Sequence, residues 1–342
     1  MMWRKGIVLF LGLLFLWVSA GAVTLEMATV RETGHPAVEA DQNLAGELAR
    51  ATGNAFEVSV GAAGSLYGDE KGILDALVRG DVALGHVSMR VLEEKVPALA
   101  AFSLPFLINS DEHLQAVLWG MPGQTLREII ETRIPEVKVL GWYNCGGRCF
   151  YTLRQVASPF DMPGLTLCAE NTESMQNYLR ALGAKPQWMA RHSVYSALFQ
   201  GVLDGGENDL VSLVYLGDYD AARYILLDRH TYAPEVLLVS RAVYDRMGEA
   251  EGEALCAAAR AAEQMEWDHY AQKEKEAVQA LRDFGCTLTF MDGGVREAFT
   301  EKATKAVPEL GGRSVYDLAG TEQADLIDEI RQMGESYPPR DR

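Results

Sequence analysis

Two cysteines near the middle of the chain offer the most reactive side chains in the sequence. Cys145 and Cys149 flank Gly146-Gly147-Arg148, a spacing unlike the Cys-x-x-Cys of thiol-disulfide oxidoreductases. A zinc site would need further ligands, and the six histidines are too scattered to supply them by spacing. The flanking glycines allow a local disulfide, but two small buried thiols are the preferred interpretation.

Motifs of catalysis are otherwise missing from the sequence. There is no nucleophile elbow, metalloprotease helix or paired-carboxylate motif. The glycine-rich run from Gly61 to Gly68 lacks the spacing of a Walker loop or a dinucleotide fingerprint, and it predicts a turn. We therefore predict that the protein is not an enzyme and uses no metal or cofactor, with a thiol-dependent enzyme as the alternative.

The N-terminus indicates export. Arg4 and Lys5 precede an apolar run from Gly6 to Val18, and Ala20-Gly21-Ala22 supplies small residues for cleavage. No cysteine lies near this point to carry a lipid. Residues 1–22 are predicted to be a signal peptide and the mature protein to be periplasmic, with a retained anchor as the alternative.

Size and charge restrict the class of protein further. The chain has 342 residues, 48% of them hydrophobic. This length is more than a single hydrophobic core usually supports, so two domains are expected. Its formal charge of −17 falls to −19 once Arg4 and Lys5 leave with the signal, which disfavours nucleic acid as a partner. Five cysteines are too few, and their number is odd, so a disulfide-dense scaffold is excluded.

Strand and helix patterns alternate along the first part of the chain. Strands are predicted at Val23–Val30, Phe56–Val60 and Val82–Val87, and helices at Ala37–Ala51 and Gly72–Arg79. This βαβ order favours a parallel sheet covered by helices. Later, a strand at Val137–Tyr143 leads into a predicted hinge at Asn144–Cys149, and residues from Ala250 to Phe284 predict a helix about 50 Å long.

Several motifs, in order, resemble the solute-binding proteins of TRAP (tripartite ATP-independent periplasmic) transporters. These are Gly64-Ser65-Leu66-Tyr67-Gly68-Asp69-Glu70, Phe102-Ser103-Leu104-Pro105-Phe106-Leu107, Asp161-Met162-Pro163-Gly164-Leu165-Thr166-Leu167 and Asp204-Gly205-Gly206-Glu207-Asn208. The resemblance covers nearly the whole mature chain. It implies an α/β, two-lobed periplasmic binding protein fold with mixed sheets, a hinge-spanning long helix and a ligand cleft between the lobes.

The resemblance also implies domain boundaries. Lobe I is expected at 23–151 plus 240–282, lobe II at 152–239 plus 283–315, and a C-terminal helical tail at 316–342. The second crossing between the lobes is expected near Val236–Ser240.

One position departs from the family pattern. After Asp-x-x-Gly-Leu-x-Leu the family normally has an arginine that binds the carboxylate of an organic acid, and this chain has Cys168. Cysteine lacks the permanent charge and the paired donors of a guanidinium. The usual dicarboxylate ligand is therefore not expected, and an apolar or amphipathic small molecule is favoured.

Candidate ligand-binding residues follow from the same resemblance. Arg154 and Arg191 are the cations that would replace the missing arginine, which gives an organic acid as the alternative ligand. For each of them, a surface or hinge ion pair is an equal possibility. The amides of Asn171 and Asn208 match family positions that face the ligand. The other candidates are the thiol of Cys168, the aromatic Trp188 near these positions, and Asp69, which can also cap a helix.

The resemblance implies partners as well. The protein would close on its ligand and deliver it to the TRAP membrane subunits. A second possibility is an interaction subunit that docks a tetratricopeptide-repeat helper lipoprotein.

Overall fold

The computed structural model describes residues 22–306 and 321–339. The predicted signal peptide, apart from Ala22, lies outside these residues. The strands are β1 (Val23–Ala28), β2 (Phe56–Gly61), β3 (Leu84–Ser88), β4 (Val137–Tyr143), β5 (Gly147–Thr152), β6 (Thr166–Cys168), β7 (Lys185–Gln187), β8 (Gly205–Asp209), β9 (Tyr224–Tyr232), β10 (Glu235–Ser240) and β11 (Thr287–Phe290).

Helices alternate with these strands over most of the chain. They are α1 (Pro36–Ala51), α2 (Glu70–Arg79), α3 (Met89–Leu92), α4 (Asp111–Trp119), α5 (Met121–Arg133), α6 (Glu173–Ala181), α7 (Arg191–Phe199), α8 (Leu210–Leu216), α9 (Arg241–Tyr244), α10 (Glu249–Phe284), α11 (Gly293–Ala306) and α12 (Thr321–Gly334). Short 3₁₀ turns lie at Pro97–Ser103, Pro159–Asp161 and Asp218–Asp220. Among the described residues, no helix combines the length and the hydrophobicity that a membrane crossing requires.

The strands form two mixed sheets, one in each lobe. The first sheet has the order β2-β1-β3-β10-β4, and the second has the order β11-β9-β5-β8-β6-β7. In the first, β1 runs parallel to β2 and β3, whereas β10 is antiparallel to both of its neighbours. The central strands β3, β8 and β10 are buried along their whole length, as expected for strands covered on both faces. The predicted two-lobed α/β fold is confirmed.

Two strands lie in the sheet opposite to the lobe expected for them. The expected boundary at Tyr151 would divide β5, but β5 pairs over its whole length with β8 and β9 of the second sheet. Similarly, β10 was expected to fall mainly in lobe II, but it pairs with β3 and β4 of the first sheet. The chain therefore crosses between the sheets at 144–146, within the hinge predicted at 144–149, and at 233–234, just before the second crossing expected near Val236–Ser240.

The long helix α10 contacts both lobes. It packs against α1 and β4 on the side of the first sheet and against α8 on the side of the second. Its 36 residues extend about 54 Å, and it ends where Gly285 adopts a left-handed conformation with φ of 93°. The predicted bracing helix is confirmed.

Side chains of α10 hold the first crossover in place. The hydroxyl of Tyr270 donates to the Asp209 carboxylate at 2.7 Å and lies 2.8 Å from the carbonyl oxygen of Cys145. Glu266 accepts a hydrogen bond from the backbone N–H of Asn144 at 2.7 Å. Gly146 has φ of 64° and lies against the Tyr270 ring, so a side chain at this position would collide with the ring.

The C-terminal helices belong to different lobes. Helix α11 packs against α6 of the second lobe, whereas α12 packs against α4 and α5 of the first. His113 of α4 contacts the carbonyl of Ile330 at 2.9 Å, and its ring stacks on Tyr337. Residues 316–320 of the predicted tail lie outside the described residues, and 321–334 form the helix expected there.

Candidate functional site

The candidate site is the gap between the two lobes, where β6, β7 and β8 end facing the first sheet. Contacts across this gap join the loop after β1 to helix α8. Arg31 donates to the hydroxyl of Ser212 at 3.2 Å, and the hydroxyl of Tyr215 donates to the carbonyl of Gly34 at 2.5 Å. The two lobes therefore touch around the gap, as in a closed form of the protein.

Arg31 connects the first lobe, the crossover and the second lobe. Besides Ser212, its guanidinium donates to Glu235 at 2.8 Å and to the thiol of Cys145 at 3.2 Å. Burial alone would lower the pKa of Arg31, but the nearby Glu235 carboxylate raises it well above its usual value. This arginine is thus permanently charged, and its donors are occupied by the protein itself.

A buried row of charged groups extends from Arg31 into the first lobe. The imidazole of His86 lies between two carboxylates, bonded to Glu235 on one side and 3.1 Å from Asp41 on the other. Asp41 also accepts from the hydroxyl of Tyr143 at 3.1 Å. Burial would lower the pKa of His86, but Asp41 and Glu235 outweigh burial and raise it to about 10.

Arg148 occupies the corresponding position in the second lobe. It lies at the start of β5 and bonds to the carboxylate of Glu207, to the Glu207 carbonyl at 2.9 Å and to Asn208 at 3.2 Å. Burial would lower the pKa of Arg148, but Glu207 and then Glu170 raise it above its usual range. Sequence reasoning missed this residue and treated Gly146-Gly147-Arg148 only as hinge. A cation directly after two glycines at the crossover was the available signal.

A second buried histidine supports Glu207. His230 lies 2.8 Å from Asp228 and 3.7 Å from Glu207, and its ring stacks on Phe150. Burial would lower the pKa of His230, but the carboxylates of Asp228 and Glu207 raise it to about 9. In turn, Arg148 and His230 overcome the effect of burial on Glu207 and hold the pKa of that carboxyl below its usual range.

Arg191 differs from the other arginines of the gap. It is the first residue of α7, its side chain is reached by solvent, and it makes no hydrogen bond or ion pair with another described residue. The surrounding protein lowers its pKa by desolvation, and the charges of Arg31 and Arg148 lower it further. A guanidinium that lacks an acceptor and is repelled by two neighbouring cations provides a position for an anion.

Three of the other predicted residues lie at one end of the second sheet. Cys168 ends β6, is half-buried, and accepts a hydrogen bond from the backbone N–H of Met189, while burial raises the pKa of its thiol. Trp188 follows β7 and is 59% exposed. Asn208 is buried, and its carbonyl oxygen accepts from Arg148 and from the Asp209 N–H. Cys168, Trp188 and Asn208 thus surround the end of the second sheet that faces the gap.

The structure does not bring Arg154 to this end of the sheet. It follows the far end of β5, where Thr152 pairs with Gly205, whereas the gap lies at the opposite end of the strand near Arg148. Its guanidinium is exposed and donates to the carbonyl of Pro163 at 3.4 Å. The resemblance gave no indication of this, because β5 carries the chain away from the gap.

Asp69 and Asn171 have local structural partners. The carboxylate of Asp69 accepts from the Gly72 N–H at 2.7 Å and caps α2, as its position before the helix predicted. Asn171 is exposed and accepts from Gln176 at 2.5 Å. Neither side chain makes a described contact with the arginines of the gap, so their predicted contacts with the ligand stay predictions.

The described residues contain neither a reactive cysteine pair nor a metal-binding cluster. Cys145 and Cys149 are both buried and form no disulfide, and burial raises the pKa of each thiol far above its usual value. Within residues 22–306 and 321–339, no three His, Cys, Asp or Glu side chains are grouped as metal ligands would be. The arrangement instead suits noncovalent recognition of a small anion.

The sequence matches the model of a known protein family. The model of the bacterial extracellular solute-binding proteins of family 7, named DctP, matches residues 27–312. A solute-binding protein from Chromohalobacter salexigens is 27% identical over 277 residues, covering 80% of each chain. The sialic acid-binding periplasmic protein SiaP of Vibrio cholerae is 22% identical over 271 residues, covering 79% of this chain and 84% of SiaP.

Solved structures give the same match. A TRAP periplasmic solute-binding protein from Pseudomonas putida F1 with bound D-glucuronate is 25% identical and superposes with a TM-score of 0.80, covering 90% of this chain and 96% of that one. The sugar acid binding protein from Advenella mimigardefordensis, in complex with galactonate, is 20% identical with a TM-score of 0.83, covering 91% and 99%.

Proposed function

Since the chain belongs to the family 7 bacterial extracellular solute-binding proteins, we propose that it binds a small organic acid between its lobes, with Arg191 as the anchor. The family consists of receptors that deliver ligands to TRAP membrane subunits. This chain is therefore the solute-binding component of such a transporter, and the prediction that it is not an enzyme is confirmed. Members of the family are periplasmic, in agreement with the expected export.

The observation that carries the proposal is the unpaired guanidinium of Arg191 in the gap. The other gap arginines, Arg31 and Arg148, donate to carboxylates of the protein. Arg191 has no such acceptor among the described residues, and an anion there would relieve its repulsion by its two neighbours. A carboxylate held by a guanidinium gains two parallel hydrogen bonds.

An organic acid therefore replaces the apolar ligand that the sequence favoured. An apolar molecule would desolvate Arg191 without supplying an acceptor, and the cost of burying an unpaired charge is several kcal/mol. Trp188, exposed beside the gap, supplies an apolar surface on which the body of a sugar-like acid can pack. The structurally similar proteins that were solved with bound D-glucuronate and galactonate also favour a sugar acid as the ligand.

The test is binding of D-glucuronate, D-galacturonate and galactonate, measured by calorimetry and by thermal shift. Replacement of Arg191 with Gln should weaken binding about 10- to 100-fold, because a hydrogen-bonded charge is lost. Arg154→Gln is the matched control, since Arg154 lies at the far end of β5, and it should bind as the parent does. The proposal fails if none of the acids binds, or if the two variants behave alike.

Docking of a tetratricopeptide-repeat lipoprotein stays a prediction, since no described contact favours it. Co-purification from the native host, followed by native mass spectrometry, tests this partner and also reveals the mass of any ligand carried through purification.

A further inference from the structure

The carboxylate of Glu170 lies between two arginines that belong to opposite lobes. It is 3.5 Å from the Nε of Arg90, in the first lobe, and 3.7 Å from the Nη1 of Arg148, in the second. Only 12% of the Glu170 side chain is exposed. Its backbone N–H donates to Glu207 at 2.8 Å, which fixes the residue just beyond the end of β6.

The first lobe holds its side of this contact in a similar way. Arg90 lies 3.7 Å from Glu70, and Glu70 accepts from the hydroxyl and the backbone N–H of Ser88 at 2.7 and 3.3 Å. The Nε of Arg90 is buried and makes no hydrogen bond, although Glu170 is near. The charges thus alternate across the gap in the order Glu70, Arg90, Glu170, Arg148 and Glu207.

This alternation means that the protein supplies its own anion to the two arginines. A ligand carboxylate approaching Arg90 or Arg148 would meet the negative charge of Glu170, and like charges at such distances disfavour ionisation of both groups. Asp209 and Asp218, whose charges act on Arg191, make the remainder of the gap still less suitable for a second negative group. Of the arginines at the gap, Arg191 is the one that has no hydrogen-bond or ion-pair partner among the described residues.

We propose that Glu170 is a specificity-determining residue that restricts the site to acids with one carboxylate. Its side chain occupies the position of a second anion, between Arg90 and Arg148, so a diacid finds that position filled. This inference rests on the proposed function, because it assumes that Arg191 holds the first carboxylate. It also gives a physical reason for the expectation that a standard dicarboxylate is not the ligand.

The test compares two acids with the same carbon skeleton. Galactonate and galactarate differ only at one end, where a hydroxymethyl group in the first is a carboxylate in the second. The parent protein should bind galactonate at least about tenfold more tightly, a difference of about 1.4 kcal/mol. Glu170→Gln keeps the size of the side chain and removes its charge, so this variant should bind galactarate about tenfold more tightly than the parent does.

The readout is the ratio of the two affinities within each protein. Loss of an ion pair between the lobes changes closure for both acids alike, so it leaves the ratio unchanged. Glu297→Gln, an exposed position on α11 of the same lobe, is the matched control and should keep the parental ratio. Glu170→Ala removes the charge and also the bulk, and it should shift the ratio in the same direction as Glu170→Gln.

The outcomes distinguish a failure of the role of Glu170 from a failure of acid binding at Arg191. Equal affinities in the parent, or an unchanged ratio in both Glu170 variants, overturn the role of Glu170 while acid binding at Arg191 stands. Absence of binding by either acid in the parent overturns both.

Discussion

The two buried carboxylates around His86 make the free energy of unfolding fall as the pH rises into the alkaline range. His86 is 1% exposed, and its pKa is raised from the ordinary 6.5 to about 10 in the folded state. The unfolded chain, in contrast, releases this proton near pH 6.5. The folded state therefore holds a proton that the unfolded state lacks throughout the range between these two values.

The sign and the size of the effect follow from this difference. The stabilisation from the His86 proton is fully present below pH 6.5 and is lost as the pH rises toward 10. Each histidine of this kind contributes a slope of about 1.4 kcal/mol per pH unit, and the complete shift of His86 corresponds to about 5 kcal/mol. His230, with a pKa of about 9, adds to the slope over the lower part of the same range.

The assay is urea unfolding of the parent protein at pH 6.5, 7.5 and 8.5. The free energy of unfolding should fall by more than 1 kcal/mol for each pH unit. His86→Gln leaves Asp41 without its cation and leaves Glu235 with Arg31 alone, so it should be less stable by about 3 to 5 kcal/mol at pH 6.5 and should show a smaller slope. His192→Gln, at an exposed position on α7, is the control and should keep the parental slope. A free energy of unfolding that stays constant from pH 6.5 to 8.5 would refute the reasoning.

Two further predictions concern the crossover and the rim of the gap. Gly146→Ala should destabilise the protein by about 2 kcal/mol or more, because a left-handed alanine is strained and its Cβ would lie 2.6 Å from the Tyr270 ring. Gly164→Ala is the control, because Gly164 has φ of 84° and no atom lies within 4 Å of the added Cβ, so this variant should lose only the stability that backbone strain costs. Equal losses of stability in the two variants, measured by thermal denaturation, would contradict the predicted collision with Tyr270. Trp188→Ala should weaken binding of the acid several-fold and change the unfolding free energy by less than about 1 kcal/mol, since Trp188 is 59% exposed. Phe160→Ala, 86% exposed in the turn before β6, should alter neither quantity in calorimetry and denaturation.

Elements with strong local signals were predictable from the sequence. The strand at Val137–Tyr143 has the predicted bounds, and the helices beginning near Pro36 and Glu249 lie within one residue of their predicted starts. Apolar periodicity, capping residues and the glycine after Phe284 determine these elements locally. The lobe to which a strand belongs is determined by its pairing partners, and these are distant in sequence, which explains the misplaced boundaries at β5 and β10.

Part of the site was predictable because it lies at the ends of short strands that carry recognisable motifs. Cys168 ends β6, Trp188 follows β7 and Asn208 lies in β8, and all three lie at the end of the second sheet that faces the gap. Arg148 was missed because its partners Glu207 and Glu170 lie 59 and 22 positions away, and no local pattern connects them. Arg154 was proposed from the resemblance to the family, and the direction of β5 places it at the end of the strand that lies away from the gap. The role proposed for Glu170 likewise depends on Arg90, which only the closed arrangement of the lobes brings near.

The strand order of the first sheet has a consequence for biosynthesis. Because β10 lies between β3 and β4, the edge of β3 stays open and β4 cannot join the sheet until residues 235–240 have emerged. The intervening 147–232 segment supplies most strands of the second sheet in one continuous stretch, so that half can begin to assemble earlier. A newly translocated chain therefore keeps β4 unpaired until the residues from 143 to 235 have followed it, and one edge of β3 stays open for longer, a period in which exposed edges invite aggregation.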